Sequence, residues 1–90
     1  MPGAYVLIKT LPDADVFDRM AEIPHVASVE SAYGDFDVIV KIEVPRDASL
    51  DKIISEIRRV SGVRSTHTAM LIEGKSRSGT RTDHLGAPSD

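Results

Sequence analysis

Between Val38 and Val60 the spacing of apolar residues changes from that of a strand to that of a helix, which limits the folds open to the chain. In residues 38–44 every second residue is apolar, and Lys41 and Glu43 lie between the later ones, as in a strand with one buried face. From residue 50 to residue 60 the apolar side chains instead recur every three or four positions, as on a helix with one apolar stripe. The sequence therefore predicts a strand and then a helix that packs on a sheet.

A second helix and three more strands are predicted from the same kind of pattern. The other helix covers about residues 16–23, and the strands cover about residues 4–10, 26–32 and 63–73. The residues predicted to cap or end the helices are Asp13, Asp15 and Pro24 for the first, and Asp47 and Gly62 for the second.

The predicted element order is β-α-β-β-α-β, which indicates an α+β fold of the ferredoxin-like type. Right-handed crossovers and a tight middle hairpin give a four-stranded antiparallel sheet with both helices on one face. The other face keeps apolar side chains whichever way each strand is turned, so we expect the domain to dimerise through its sheet. The side chains concerned are Tyr5 and Leu7 or Val6 and Ile8, then Ile39, and then Met70 and Ile72 or Leu71.

Composition sets the class of protein. Residues 1–73 are predicted to form one domain and residues 74–90 a polar, flexible tail. The chain has no cysteine for a disulfide or a thiolate metal site, and it has neither a signal segment nor an apolar run of roughly 20 residues. We therefore expect a cytoplasmic protein without membrane contact. The net charge of −3 disfavours direct nucleic-acid binding.

The loop between the second and third predicted strands carries groups that a turn does not require. Gly34 suits a tight corner, but Asp35 and Asp37 also flank Phe36 there. An α-amino acid needs an anion for its ammonium and donors for its carboxylate. Asp35 or Asp37 would supply the first, and backbone N–H groups near Gly34 with the hydroxyls of Thr66 and Thr68 would supply the second.

The predicted ligand-binding residues thus come from the corner and the last strand. Thr66 and Thr68 lie two apart and share a face of the strand, whereas His67 between them points to the other face. A plain alternative stays open, in which Gly-Asp is an ordinary turn, Asp37 caps the third strand and the threonines are strand formers. The full predicted set is Tyr33, Gly34, Asp35, Phe36, Asp37, Thr66, His67 and Thr68.

Several segments in this order resemble the effector-binding domain of the Lrp/AsnC transcription regulators, also called the RAM domain. The segments are residues 4–9 (Ala-Tyr-Val-Leu-Ile-Lys), 23–26 (Ile-Pro-His-Val), 33–37 (Tyr-Gly-Asp-Phe-Asp), 62–63 (Gly-Val), and Thr66 with Thr68. The resemblance implies a ferredoxin-like unit that dimerises through its sheet, with four dimers assembling into an octameric ring. It also implies an amino acid or related metabolite as effector, bound in clefts between dimers.

Family members carry an N-terminal helix-turn-helix, whereas only Met1, Pro2 and Gly3 precede the first strand here. The chain is therefore expected to be a stand-alone form that does not bind DNA itself. A role in transcription would then run through a partner such as a full-length Lrp/AsnC-type regulator.

Two other classes use the same element order. A small dimeric α/β-barrel isomerase or oxygenase would need an acid–base pair or a haem-ligating histidine, and His67 or Asp37 is the nearest candidate. An RNA-recognition domain would need aromatic platforms on a basic face, and Tyr5 and Phe36 are the only candidates on an acidic chain. His25, His67 and His84 have no spacing that suits a metal. We predict a non-enzymatic domain without metal or cofactor.

Overall fold

A computed structural model describes residues 3–45, 49–72, 77 and 79. Its elements are β1 (Gly3–Thr10), α1 (Phe17–Ala21), β2 (Val26–Ser31), β3 (Val38–Glu43), α2 (Leu50–Arg58) and β4 (Val63–Met70). This order confirms the predicted β-α-β-β-α-β arrangement.

The four strands form one antiparallel sheet in the order β2-β3-β1-β4. β1 and β3 are central, and β2 and β4 lie at the edges. The register places Leu7 of β1 between Ile39 of β3 and His67 of β4. The fold is thus the predicted ferredoxin-like α+β fold.

The core lies between one face of the sheet and both helices. On β1 the side chains of Val6 and Ile8 are fully buried, and α1 and α2 bury Met20 and Ile57 against them. Burying each such side chain contributes about 1.5 to 3 kcal/mol, before the cost of ordering the chain is subtracted. The alternation that predicted β3 places Val40 and Ile42 in this core, and the structure settles that Val6 and Ile8 of β1 face the helices.

Three element boundaries differ from the prediction. α1 has only five residues, and its approach includes Asp13 at φ +64°, a left-handed conformation that a helix cannot contain. Asp15 accepts a hydrogen bond from the backbone N–H of Phe17 at 3.2 Å. α2 ends at Arg58, and β4 ends at Met70, three residues before the predicted end.

Two predictions fall on parts of the chain that the structure does not describe. The predicted cap Asp47 lies outside the described residues, and Ser49 is the residue before α2. The predicted tail 74–90 also lies outside them, apart from residues 77 and 79. No helix in the described part of the chain is long and apolar enough to cross a membrane.

Candidate functional site

The corner predicted to bind ligand is a six-residue connection, residues 32–37, between β2 and β3. The backbone N–H of Ala32 donates to the carbonyl of Asp37 at 2.8 Å and closes the base of the loop. Gly34 has φ +128°, a conformation that favours glycine, and the Tyr33 side chain next to it is exposed. The loop therefore projects from a fixed base.

Asp37 fastens this loop to the end of β1. Its backbone N–H donates to the carbonyl of Ile8 at 2.9 Å. Its carboxylate Oδ2 accepts a hydrogen bond from the backbone N–H of Thr10 at 2.9 Å, with the Thr10 hydroxyl 3.4 Å away. The carboxylate of Asp37 thus has a structural role, and it binds the end of the first strand.

We expect Asp37→Ala to lower the free energy of unfolding by about 1 kcal/mol, because the Thr10 N–H loses its acceptor at an exposed site. Urea denaturation followed by circular dichroism measures this. Asp35→Ala is the matched control and should stay within about 0.5 kcal/mol of the wild type. Equal losses in both variants would show that the Asp37 carboxylate does not hold the loop.

Asp35 differs from Asp37 in having no structural partner in the described part of the chain. Its side chain is exposed, and within the described residues it makes no hydrogen bond or ion pair. It stands beside Gly34, where the absence of a side chain leaves the backbone approachable. Of the two predicted ammonium-binding carboxylates, Asp35 is the one left available for a ligand.

Phe36 links the corner to β4. Its ring centroid lies 5.6 Å from that of His67, with the planes tilted by 56°. His67 pairs with Leu7 and so lies on the sheet face opposite the helices. The structure therefore brings His67 to the corner, although its position between the threonines alone made it a weaker candidate than they were.

Thr66 and Thr68 share one face, as predicted, but this is the helix side of the sheet. They pair with Ile8 and Val6, so β1 separates them from β3 and from the corner. Within one chain the structure does not bring the two threonines to Asp35. They line instead a groove between α2 and β4.

Arg58, at the end of α2, is the residue of this groove that sequence analysis did not identify. Its Nε–H donates to the Thr66 hydroxyl at 3.2 Å. A cation near a helix C-terminus interacts favourably with the helix dipole, and this position by itself does not indicate a site. The spacing of eight residues across a turn from α2 to β4 carries no recognisable pattern.

The open sheet face, which we define as Tyr5, Leu7, Ile39, His67 and Ala69, carries apolar side chains away from the helices. Tyr5 is 37% exposed, and the Lys41 ammonium lies 5.7 Å from the centre of its ring. Lys41 also pairs with the Glu43 carboxylate at 3.2 Å, and this hydrogen bond raises the pKa of Lys41. Charged groups thus border an apolar centre.

Comparison with known proteins places this geometry in a family. The sequence model of the Lrp/AsnC ligand binding domain family matches residues 3–80. The chain belongs to this family. Since the match covers most of the chain, the family resemblance read from the corner, β1 and β4 is confirmed.

Two kinds of protein contain a segment similar to this chain. The HTH-type transcriptional regulator FL11 of Pyrococcus horikoshii is 28% identical over 72 residues, which cover 78% of this chain and 48% of FL11. Homocitrate synthase of Sulfurisphaera tokodaii is 40% identical over 55 residues, which cover 61% of this chain and 12% of the synthase. The chain thus spans about half or less of these relatives.

One solved structure matches this fold over its own full length. The structure of FFRP-DM1 is 31% identical and superimposes with a TM-score of 0.73, covering 80% of this chain and 100% of the other. The described residues contain no group of three or more side chains placed to hold a metal ion. The fold and family together identify a Lrp/AsnC-type ligand-binding domain.

Proposed function

We propose that this domain binds an amino acid, or a closely related metabolite, at the corner and passes the signal to a protein partner. The single observation that carries the proposal is the contrast between the two corner carboxylates. Asp37 is engaged by Thr10 and fixes the loop, while Asp35 stays exposed beside Gly34. A carboxylate held on a fixed loop is suited to bind an ammonium group.

The rest of the effector would contact the loop backbone and a second subunit. Backbone N–H groups near Gly34 would meet the effector carboxylate, and Tyr33 would cover its side chain. Because β1 separates Thr66 and Thr68 from the corner of the same chain, their hydroxyls would reach this effector only from a neighbouring copy. The proposed complete site therefore requires an oligomer.

The open sheet face is the proposed dimer interface. Its apolar centre at Leu7 and Ile39 would be buried against the same face of a second copy. His67 and Phe36 lie at the side of that face nearest the corner. Effector binding at the corner would thus alter the Phe36–His67 contact at the interface, and through it the assembly of the subunits. Further association into an octamer of four dimers is the larger assembly that we propose.

A thermal-shift screen against the common amino acids tests the binding proposal. A ligand that binds only the folded state raises its stability according to concentration over affinity, by about 2.7 kcal/mol at 100 times Kd. We expect one amino acid or a small set to raise the melting temperature. Asp35→Asn, which removes the charge but keeps the shape, should abolish the shift without lowering the stability of the unliganded protein.

Asp35 is a better site for this test than Asp37, because loss of the Asp37 carboxylate would itself destabilise the loop. A second control is Glu22→Gln, which removes a charge from an exposed residue at the other end of β2 from the corner. An unchanged shift in Asp35→Asn would contradict binding at the corner. The absence of any shift in the wild type would contradict an amino-acid effector.

The partner is proposed to be a DNA-binding regulator of the same family, as the match to FL11 suggests. The match to homocitrate synthase favours a second candidate, in which the domain senses a metabolite for a biosynthetic enzyme. Affinity purification of the tagged protein with and without effector distinguishes them. Effector-dependent recovery of a helix-turn-helix regulator would support the first, and recovery of a metabolic synthase would support the second. In both cases the domain itself is proposed to be non-catalytic.

A further inference from the structure

Within one chain the groove between α2 and β4 is separate from the corner, and the helix does not seal it. The helix-side residues of β4 include Thr66 and Thr68, whereas the residues paired with them on β1 are apolar and fully buried. β4 is the last strand of the sheet, so nothing beyond it in the described residues closes the groove. An open pocket of about 340 Å³ lies here, lined by Arg58, Val63, Arg64, Ser65 and Thr66.

The guanidinium of Arg58 is positioned in this pocket without a carboxylate partner among the described residues. Its Nε–H donates to the Thr66 hydroxyl at 3.2 Å, which uses one of its five N–H donors and leaves four. Within the described residues the only ion pair is the one between Lys41 and Glu43. Arg58 and Arg64 therefore bring two positive charges to one pocket, with no described acidic group in contact to neutralise them.

We propose that Arg58, Arg64 and Thr66 form a binding site for the oxyanion group of a small metabolite, a carboxylate or a phosphate. The planar guanidinium fork matches both groups through paired hydrogen bonds, and the Thr66 hydroxyl is a further donor. The chain as a whole carries a charge of −3, so this pocket is a local exception that attracts anions.

A neighbouring pocket of about 470 Å³ provides room for the rest of the ligand. Arg58 borders both pockets, and the second is lined further by Asp51, Ile54, Ser55, Thr68 and Met70. Ile54 and Met70 offer apolar contact. Asp51 lies two helical turns before Arg58, about 10 Å along α2, and would repel a second anionic group there. The groove thus favours a ligand with one anionic end.

Nuclear magnetic resonance titration of the full chain with inorganic phosphate, and separately with acetate, tests this site at constant ionic strength. We expect saturable shifts of the backbone amides of residues 64–66 and of the Arg58 Nε–H. Arg58→Gln should weaken binding about tenfold, the equivalent of one charge-assisted hydrogen bond. Thr66→Val, which removes only the hydroxyl, should weaken binding by a smaller factor.

Arg59→Gln is the matched control. It removes the same charge from the next residue, but Arg59 lines a different pocket with Asp51, Lys52, Ser55 and Glu56. The affinity of this variant for either anion should stay within about twofold of the wild type, because salt largely screens an exposed charge that does not contact the anion.

Saturation by phosphate alone would assign the site to phosphorylated ligands, and saturation by acetate would assign it to carboxylates. Shifts that do not saturate with either anion, or equal weakening in the Arg58 and Arg59 variants, would overturn the proposal. The Thr66 hydroxyl also belongs to the proposed effector site of a neighbouring copy, so the two sites share that side chain. The titration contains no amino acid and leaves Asp35 unchanged, so its failure would leave the proposed Asp35 contact standing.

Discussion

Gly62→Ala is expected to destabilise the domain by about 2 to 5 kcal/mol, from a strained backbone and an overpacked contact together. Gly62 has φ +100°, which residues with a Cβ rarely adopt. A Cβ at this position would lie 2.8 Å from the Cβ of Ala14 and 3.1 Å from Cγ1 of Val16. The Gly62 carbonyl also accepts a hydrogen bond from the Leu11 N–H at 2.8 Å, so the chain cannot move aside freely.

Gly34→Ala separates these two causes. Gly34 also has a positive φ, of +128°, but a Cβ there would meet nothing within 4 Å. We expect a smaller loss of about 1 to 3 kcal/mol, from backbone strain alone. Urea denaturation of both variants gives the comparison. A Gly62 variant no less stable than the Gly34 variant would contradict the close packing of the α2–β4 turn on the segment before α1.

The second large effect is expected for Leu7→Asp, at the centre of the open sheet face. In the proposed dimer each subunit would bury a carboxylate without a partner, at a cost of several kcal/mol. We expect the dissociation constant of the dimer to rise at least about 100-fold, which corresponds to about 2.7 kcal/mol. Sedimentation velocity over a range of concentrations measures the change.

Ser61→Asp introduces the same charge at an exposed turn on another part of the domain and should leave the dimer intact. Circular dichroism checks that Leu7→Asp keeps its fold, since Leu7 points away from the helix-side core. A monomeric wild-type protein, or identical sedimentation of the wild type and the Leu7 variant, would contradict an interface on this face.

The fold was predictable because local pattern and overall architecture agree. The alternation through Val40 and Ile42 and the apolar stripe at Ile53 and Ile57 each allow one kind of element, and all four side chains enter the core. The length of α1 was not predictable in the same way. Asp13 takes a left-handed conformation in the turn before α1, and nothing in its neighbours' periodicity specifies that.

Only the part of the candidate site that is contiguous in the sequence was predictable. The corner residues are contiguous, so their proximity follows from sequence. The role of Asp37 depends on Thr10, 27 residues away, which the sheet register brings beside it. Period-two alternation places Thr66 and Thr68 on one face, but the choice of face is set by their pairing with β1. The Arg58–Thr66 contact likewise depends on how α2 lies over β4.

Isothermal titration calorimetry tests the central claim, which is that the corner binds an amino-acid effector through Asp35. The titrant is each amino acid that stabilises the protein, and the proteins are the wild type, Asp35→Asn and the control Glu22→Gln. We predict saturable binding to the wild type and the control, and at least about tenfold weaker binding to Asp35→Asn, the loss of one charge-assisted hydrogen bond. Equal affinity in all three proteins, or no heat of binding to the wild type, would contradict the claim.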